Sequence, residues 1–280
     1  MKLDFLQTPV ESPLSRRDFA KKMGLTTAGV VGASVLGSTV LGGALKAHAQ
    51  DSSPAATSST ITDADILNFA LNLEYLEAEF YTVAVTGKNL VESGILTSAD
   101  ETGPTTGGAE VNFGSSPQVK MIAQQILDDE QNHVKFLRSA LGSAAVKKPT
   151  INLNAAGEGF GSYQQFLELA RDFEDTGVSA YGGAAPLIKN ATYLAAAARI
   201  ALTEAEHSGV IRLKMVLTGL QEPKIDSQDV PPTWNTLFSV TTDGFAIVRT
   251  TSQVLKIVYA GGTTKGGFFP DGVNGTIHSA

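Results

Sequence analysis

The chain is 280 residues long and 42% hydrophobic, enough for one main domain with a real core plus an extension. Its formal charge is −7, yet the first 49 residues hold six Lys/Arg against three Asp/Glu, so the remainder has 15 basic and 25 acidic residues and stands at −10. That acidity argues against nucleic acid as a partner, and the absence of cysteine excludes disulfides, thiolate zinc sites and rubredoxin-like iron centres.

Residues 1–49 account for the charge asymmetry. Ser15 to Lys22 reads SRRDFAKK, a weakly apolar Gly/Ala/Val/Leu run extends from Met23 to Leu45, and Ala47-His48-Ala49 follows. Paired Arg16 and Arg17 with Phe19, a soft apolar run and a small-x-small site resemble a twin-arginine export signal, cleaved after Ala49. The run is Gly-, Ser- and Thr-rich and marginal as a membrane span; an uncleaved signal acting as an anchor is the alternative. The resemblance implies passage of a folded protein, metal already inserted, through the twin-arginine translocase to the periplasm or the extracellular space.

Gln50 to Thr62 has the Ser/Thr/Ala composition of a flexible linker. The first helix is predicted from Asp63 to about Thr86. Its inner stripe is Leu67, Ala70, Leu71, Glu74, Ala78, Tyr81 and Val85, with a carboxylate at its middle. Residues 88–115, rich in Gly, Thr and Ser, read as a long surface loop, after which Ser116-Pro117 opens the second helix. That helix ends near Gly142, and its stripe carries Glu130 and His133 among aliphatic residues. Unpaired burial of such groups costs on the order of 1–3 kcal/mol or more each, so they require a partner.

Ser143 to Gly161 is long enough, if extended, to return the chain along the whole length of a bundle. The third helix is predicted from about Ser162 to Tyr181, with Phe166, Leu167, Ala170, Glu174, Val178 and Tyr181 facing inward. Gly182-Gly183, Pro186 and Asn190 are expected to mark the turn into a fourth helix that ends at Gly219 and carries Glu204 and His207. In an antiparallel hairpin turning near residue 188, Glu174 and Glu204 lie near one height. The halves repeat: Glu74 is followed by Tyr81 and Glu174 by Tyr181, each seven residues on, and each half then supplies a Glu-x-x-His. A short fifth helix capped by Thr250 or Thr251 is expected within the Pro-containing tail.

Glu and His at i and i+3 share a helix face, so each pair can hold an ion between helices. One Glu from each of two helices and Glu-x-x-His from each of the other two form a dinuclear ligand set: Glu74, Glu130, His133, Glu174, Glu204 and His207. Four carboxylates neutralise two divalent ions, and carboxylate with imidazole suits iron or manganese.

The segment NLEYLEAEFY, Asn72 to Tyr81, resembles the first ferritin helix. The signal, the four helices and GGFFPDGVNG at Gly266 to Gly275 together resemble the exported ferritin-like proteins that include plant and bacterial desiccation-related proteins. The resemblance implies an all-α, ferritin-like four-helix bundle over 63–220, with a long crossover between helices two and three and a C-terminal extension over 221–280. It also implies two iron or manganese ions and redox chemistry with dioxygen or peroxide, ferroxidase or catalase-like. The alternative is a non-enzymatic metal-storing or stress-protective protein; a homo-oligomer is compatible with either. Tyr81 and Tyr181 become candidates to donate to ligands or undergo oxidation, or simply pack. Asp129 resembles the carboxylate that accepts the free ring N–H of the opposite histidine, here His207; otherwise it is a solvated residue. The matching position before Glu204 is Thr203. Glu77 is an extra ligand, an ion-entry carboxylate or a solvated rim residue. Arg171 pairs with Glu174 or is exposed, and His278 is expected to be disordered.

Overall fold

A computed structural model describes residues 61–114 and 116–280. The signal over 1–49 and the linker up to residue 60 lie outside the described residues. Among the described residues no helix is long and apolar enough to cross a membrane.

Four long helices form the bundle: α1 (Asp63–Thr86), α2 (Pro117–Leu141), α3 (Tyr163–Ala184) and α4 (Ala191–Thr218). Their ends are set by local chemistry. Thr62 and Asp65 make a reciprocal capping box at the start of α1, and Gly87 ends it at φ +70°. Pro117 opens α2, where no N–H is needed. Ser162 caps α3 by accepting from Gln165 N, and Asn190 caps α4 by accepting from Thr192 N and Tyr193 N. Asp63 accepts from Lys189 N at 3.0 Å and Asn190 N at 2.7 Å, tying the first helix to the turn between the last two.

Helices pack as two hairpin-like pairs, α1 on α2 and α3 on α4, with α1 against α3 between them. The crossover from α2 to α3 carries the two-residue strand β2 (Ile151–Asn152), which pairs in parallel with β1 (Thr105–Thr106) from the α1–α2 connection. The C-terminal extension lies on the same compact unit as the bundle and contains α5 (Thr251–Val258), capped by Thr250 and Gln253. Asn72 Nδ2 donates to Asn274 O at 2.8 Å and accepts Asn274 N on its Oδ1 at 3.0 Å. The rings of Phe173 and Phe268 stand 4.9 Å apart, edge to face.

That coverage changes four expectations. The first helix is not striped: every residue from Ile66 to Val85 is buried, because segments far along the chain close its outer face. The 88–115 segment is not simply a surface loop, since Leu90, Leu96, Val111 and Phe113 are all in the core. Gly182-Gly183 does not form the turn. It lies inside α3, where a Cβ on Gly183 would stand 1.9 Å from Arg249 O and one on Gly182 2.7 Å from Val248 Cγ1. These glycines admit the backbone of the extension, and the turn falls instead at Ala185–Leu187. His278 is not disordered either: its carbonyl accepts from Tyr259 OH at 3.1 Å and its Nδ1 lies 3.1 Å from Gly275 O.

Candidate metal centre

Helical spacing brings the six predicted residues to the bundle axis from four directions. Glu74, Glu130, Glu174 and Glu204 are each fully buried, and His133 and His207 are nearly so. His133 Nδ1 faces Glu74 Oε2 at 3.2 Å, Glu204 Oε1 at 3.3 Å and Glu130 Oε2 at 3.4 Å. His207 Nδ1 faces Glu130 Oε1 at 3.1 Å and Glu174 Oε2 at 3.4 Å. The atoms fall into two overlapping groups, Glu74/Glu130/His133/Glu204 and Glu130/Glu174/Glu204/His207, in each of which all ligand atoms lie within 4.8 Å of one another. Glu130 and Glu204 belong to both groups and could be shared by two ions; Glu74 and Glu174 are terminal, each in one group only.

The two tyrosines cross between the halves. Tyr81 of α1 donates to Glu174 Oε1 at 2.5 Å, and Tyr181 of α3 donates to Glu74 Oε1. Each terminal carboxylate thus has one oxygen held by a phenol, with the other turned to the centre. Burial pushes both phenols well above their ordinary range, reinforced by the carboxylate each one meets. Both therefore remain protonated donors at neutral pH.

The halves differ behind the histidines. His207 Nε2 lies 3.2 Å from Asp129 Oδ2, whose side chain is half exposed. On the opposite side Thr203 Oγ1 donates to Arg199 O, a backbone atom of its own helix. His133 has no such carboxylate behind it among the described residues. It borders a cavity of about 220 Å³ between α2 and α4, lined by Asn132 and Phe136 from one helix and Arg199, Ile200 and Thr203 from the other.

The donors suit cations on two grounds. Both oxygens of Glu130 and of Glu204, together with Glu174 Oε2 and His207 Nδ1, are buried without a hydrogen-bond partner; such orphaned groups are rare in folded proteins and costly. Without an ion, protons are left to balance the charge. Burial pushes His207 down, but Glu174 and Glu130 overwhelm it and the imidazole is pushed up to about 12. His133 is raised further still: burial opposes it, and the charge of Glu74 with contacts to Glu130 and Glu204 prevails. Glu130 is raised to about 7 by burial and by the Glu74 charge, and Glu204 goes well above its usual range by burial and by Glu130. Burial raises Glu74 as well, but the His133 charge and hydrogen bonds outweigh it and hold this carboxyl low. Two cations could replace those protons and occupy every orphaned atom.

Two expectations are corrected around the centre. Glu77 is not a solvated rim residue: it is buried against the ligand cluster. Arg171 neither pairs with Glu174 nor is exposed. It is fully buried and contacts Asp175 at 2.9 Å, Asp172 at 3.0 Å, Glu222 at 3.6 Å and, closely, Asp229 of the extension. Sequence reasoning also missed Arg212, which donates to Asp175 Oδ2 at 2.6 Å and to the carbonyls of Val230, Thr236 and Leu237. The i,i+4 spacing of Arg171 and Asp175 was the available signal; Asp229 and the carbonyls come from distant sequence.

No curated protein matches the chain. The model of the ferritin-like domain matches residues 62–216, from the cap of α1 to the last turn of α4 and across all six candidate ligands; the chain belongs to the ferritin-like domain family.

Proposed function

We propose that this protein holds a carboxylate-bridged pair of iron or manganese ions and carries out redox chemistry with dioxygen or peroxide. The observation that carries the reading is the set of buried, unpartnered donor atoms of Glu130, Glu174, Glu204 and His207, interlocked in two groups around shared bridging carboxylates. When bound, the ions supply electrons and Lewis acidity to a small oxidant.

The residues of the chain supply the rest. Glu74, Glu130, His133 and Glu204 would hold one ion, and Glu130, Glu174, Glu204 and His207 the other. Tyr81 and Tyr181 orient the terminal carboxylates and hold a proton at each phenol oxygen, beside the position where charge changes. Asp129 fixes the ring of His207 and raises its basicity as a ligand. The cavity beside His133 offers a small oxidant an approach from solvent, which favours turnover over simple storage. Leu73, Leu76 and Phe173 of the bundle, with Val258 of the extension, line only a small void beside Glu77. We also propose export by the twin-arginine route, on the strength of Arg16, Arg17 and the apolar run that follows.

Elemental analysis of protein isolated through its native export path is expected to give about two iron or manganese ions per chain, and Glu130→Ala with Glu204→Ala should abolish them. Metal-free wild-type protein would overturn the reading. With ions bound, oxygen evolution from peroxide supports a catalase-like reaction, and rapid oxidation of added ferrous iron a ferroxidase; mineral formation by a particle of several hundred kilodaltons would instead support storage. Replacing Arg16 and Arg17 by Lys should retain the precursor in the cytoplasm; continued export would refute the signal.

A further inference from the structure

The C-terminal extension roofs a second cavity, on the other side of the bundle from His133. α1 meets α3 and α2 meets α4, so the groove between α1 and α3 lies opposite the one that holds the cavity beside His133. Val258 of α5 sits over that groove, against Leu73 and Leu76 of α1 and Phe173 of α3. Beside it, α3, α5 and the 225–228 segment enclose about 540 Å³, a volume typical of small-molecule sites. Leu169, Phe173, Val258 and Phe268 are buried and form its inner wall, while Ser227, Gln228 and Lys256 are exposed and form its rim.

The carboxylates of the wall already have partners. Asp172 pairs with Arg171 at 3.0 Å, and Asp226 with Arg249 at 2.8 Å. Lys256 stands in solvent, so the interior holds no free charge for an ionic ligand to meet. One polar group is left over. Thr176 of α3 lines the cavity and is 4% exposed, and its Oγ1 is buried with no hydrogen-bond partner among the described residues. A helical threonine can return its hydroxyl to the carbonyl four residues back. Thr86, Thr203 and Thr218 do so, at 2.6, 3.2 and 2.7 Å. Thr176 does not, and an unpaired buried hydroxyl is costly. The rings around it are arranged to take another: Phe173 and Phe268 stand edge to face at 4.9 Å, a geometry that a third ring extends.

We propose that this cavity is a binding site for a small uncharged phenol. The ring of the ligand lies against Leu169, Phe173, Val258 and Phe268, and its hydroxyl pairs with Thr176 Oγ1. None of the six candidate metal ligands lines the cavity, so the site stands independently of the dinuclear reading. It also gives the extension a purpose, because Ile225, Val258 and Phe268 supply the walls that the four-helix bundle alone lacks.

The test is a titration of the full chain, methyl-labelled at Ile, Leu and Val, with p-cresol, followed by nuclear magnetic resonance. Saturable shifts are expected at Leu169, Ile225, Ile257 and Val258. Two relatives of the probe separate the contributions: p-xylene has a methyl group in place of the hydroxyl, and 4-methylcyclohexanol keeps the hydroxyl without the aromatic ring. Each should bind at least fivefold more weakly than p-cresol. Thr176→Val should reduce p-cresol to the level of p-xylene and leave p-xylene unchanged, whereas Thr176→Ser should retain p-cresol binding. Absence of saturable shifts at these methyls would overturn the site. Undiminished p-cresol binding in Thr176→Val would overturn the role of the hydroxyl, and equal binding of 4-methylcyclohexanol the assignment to phenols. Thr176→Val is isosteric and removes an unpaired polar group, so it should melt at or above the wild type. Ser227→Trp, which fills the mouth from the exposed rim, should block p-cresol and covers the case in which Thr176→Val fails to fold; undiminished binding there would likewise overturn the placement.

Discussion

On the proposed dinuclear reading, stripping the ions should invert the dependence of stability on pH. In the metal-free protein Glu130 is raised from 4.5 to about 7 by burial and the Glu74 charge. A carboxyl with a higher pKa in the fold than in the unfolded chain keeps its proton longer when folded. Its contribution is therefore complete below about pH 4.5 and is lost as the pH rises through about 7. At about 1.4 kcal/mol per pH unit the loss amounts to about 3 kcal/mol, or about 6–12 °C in melting temperature for a fold of this size. Glu204 and Glu77 are raised by burial and act with the same sign. So does His207: at about 12 against 6.5, its contribution is full below about 6.5 and declines as the pH rises toward 12. Manganese reverses this, because binding needs deprotonated carboxylates and imidazoles and strengthens as protons leave. Asp172 and Glu222, raised by burial to about 6 and about 9, lie outside the centre and cancel in the difference between loaded and stripped protein. Circular dichroism melts of both forms between pH 5 and 8 should show the stripped protein losing stability with pH and the gap between the forms widening. A stripped protein that gains stability from pH 5 to 8, or a gap that narrows, would refute the reasoning.

Asp129→Ala leaves His207 Nε2 without its carboxylate and should weaken one ion by about 10–100-fold, read as a lowered chelator concentration for removal of that ion; unchanged affinity would reduce Asp129 to a surface residue. Arg171→Met leaves Asp229 without its buried cation and Asp175 with Arg212 alone. The loss should be about 3–5 kcal/mol, measured by urea denaturation, with the 221–240 segment becoming sensitive to protease before the bundle does.

Much of the centre was legible because helical periodicity is local. Glu130 with His133 and Glu204 with His207 share a face by spacing alone, and Pro117, Asn190 and Gly219 mark their helices through local backbone chemistry. Apart from Arg171 with Asp172 and Asp175, the contacts that escaped are made by residues far apart in sequence. Nothing local distinguishes Gly182-Gly183 as a passage for Arg249 from the same pair as a turn, and nothing near Arg171 announces Asp229. The rim alternative for Glu77 assumed a helix with one buried stripe, which would have left it at the water; residues 90–113 and the C-terminal tail help to bury α1 on every side.

The spacing of ionisable residues on apolar helices, which depends only on the 3.6-residue period, determined the bundle and the six residues that meet on its axis. Tertiary structure alone decided how the two halves of that centre differ. Which carboxylate stands behind which histidine and which face opens to a cavity both depend on what packs against the bundle from outside. The C-terminal extension and the interhelical grooves set that packing through contacts with no fixed separation along the chain.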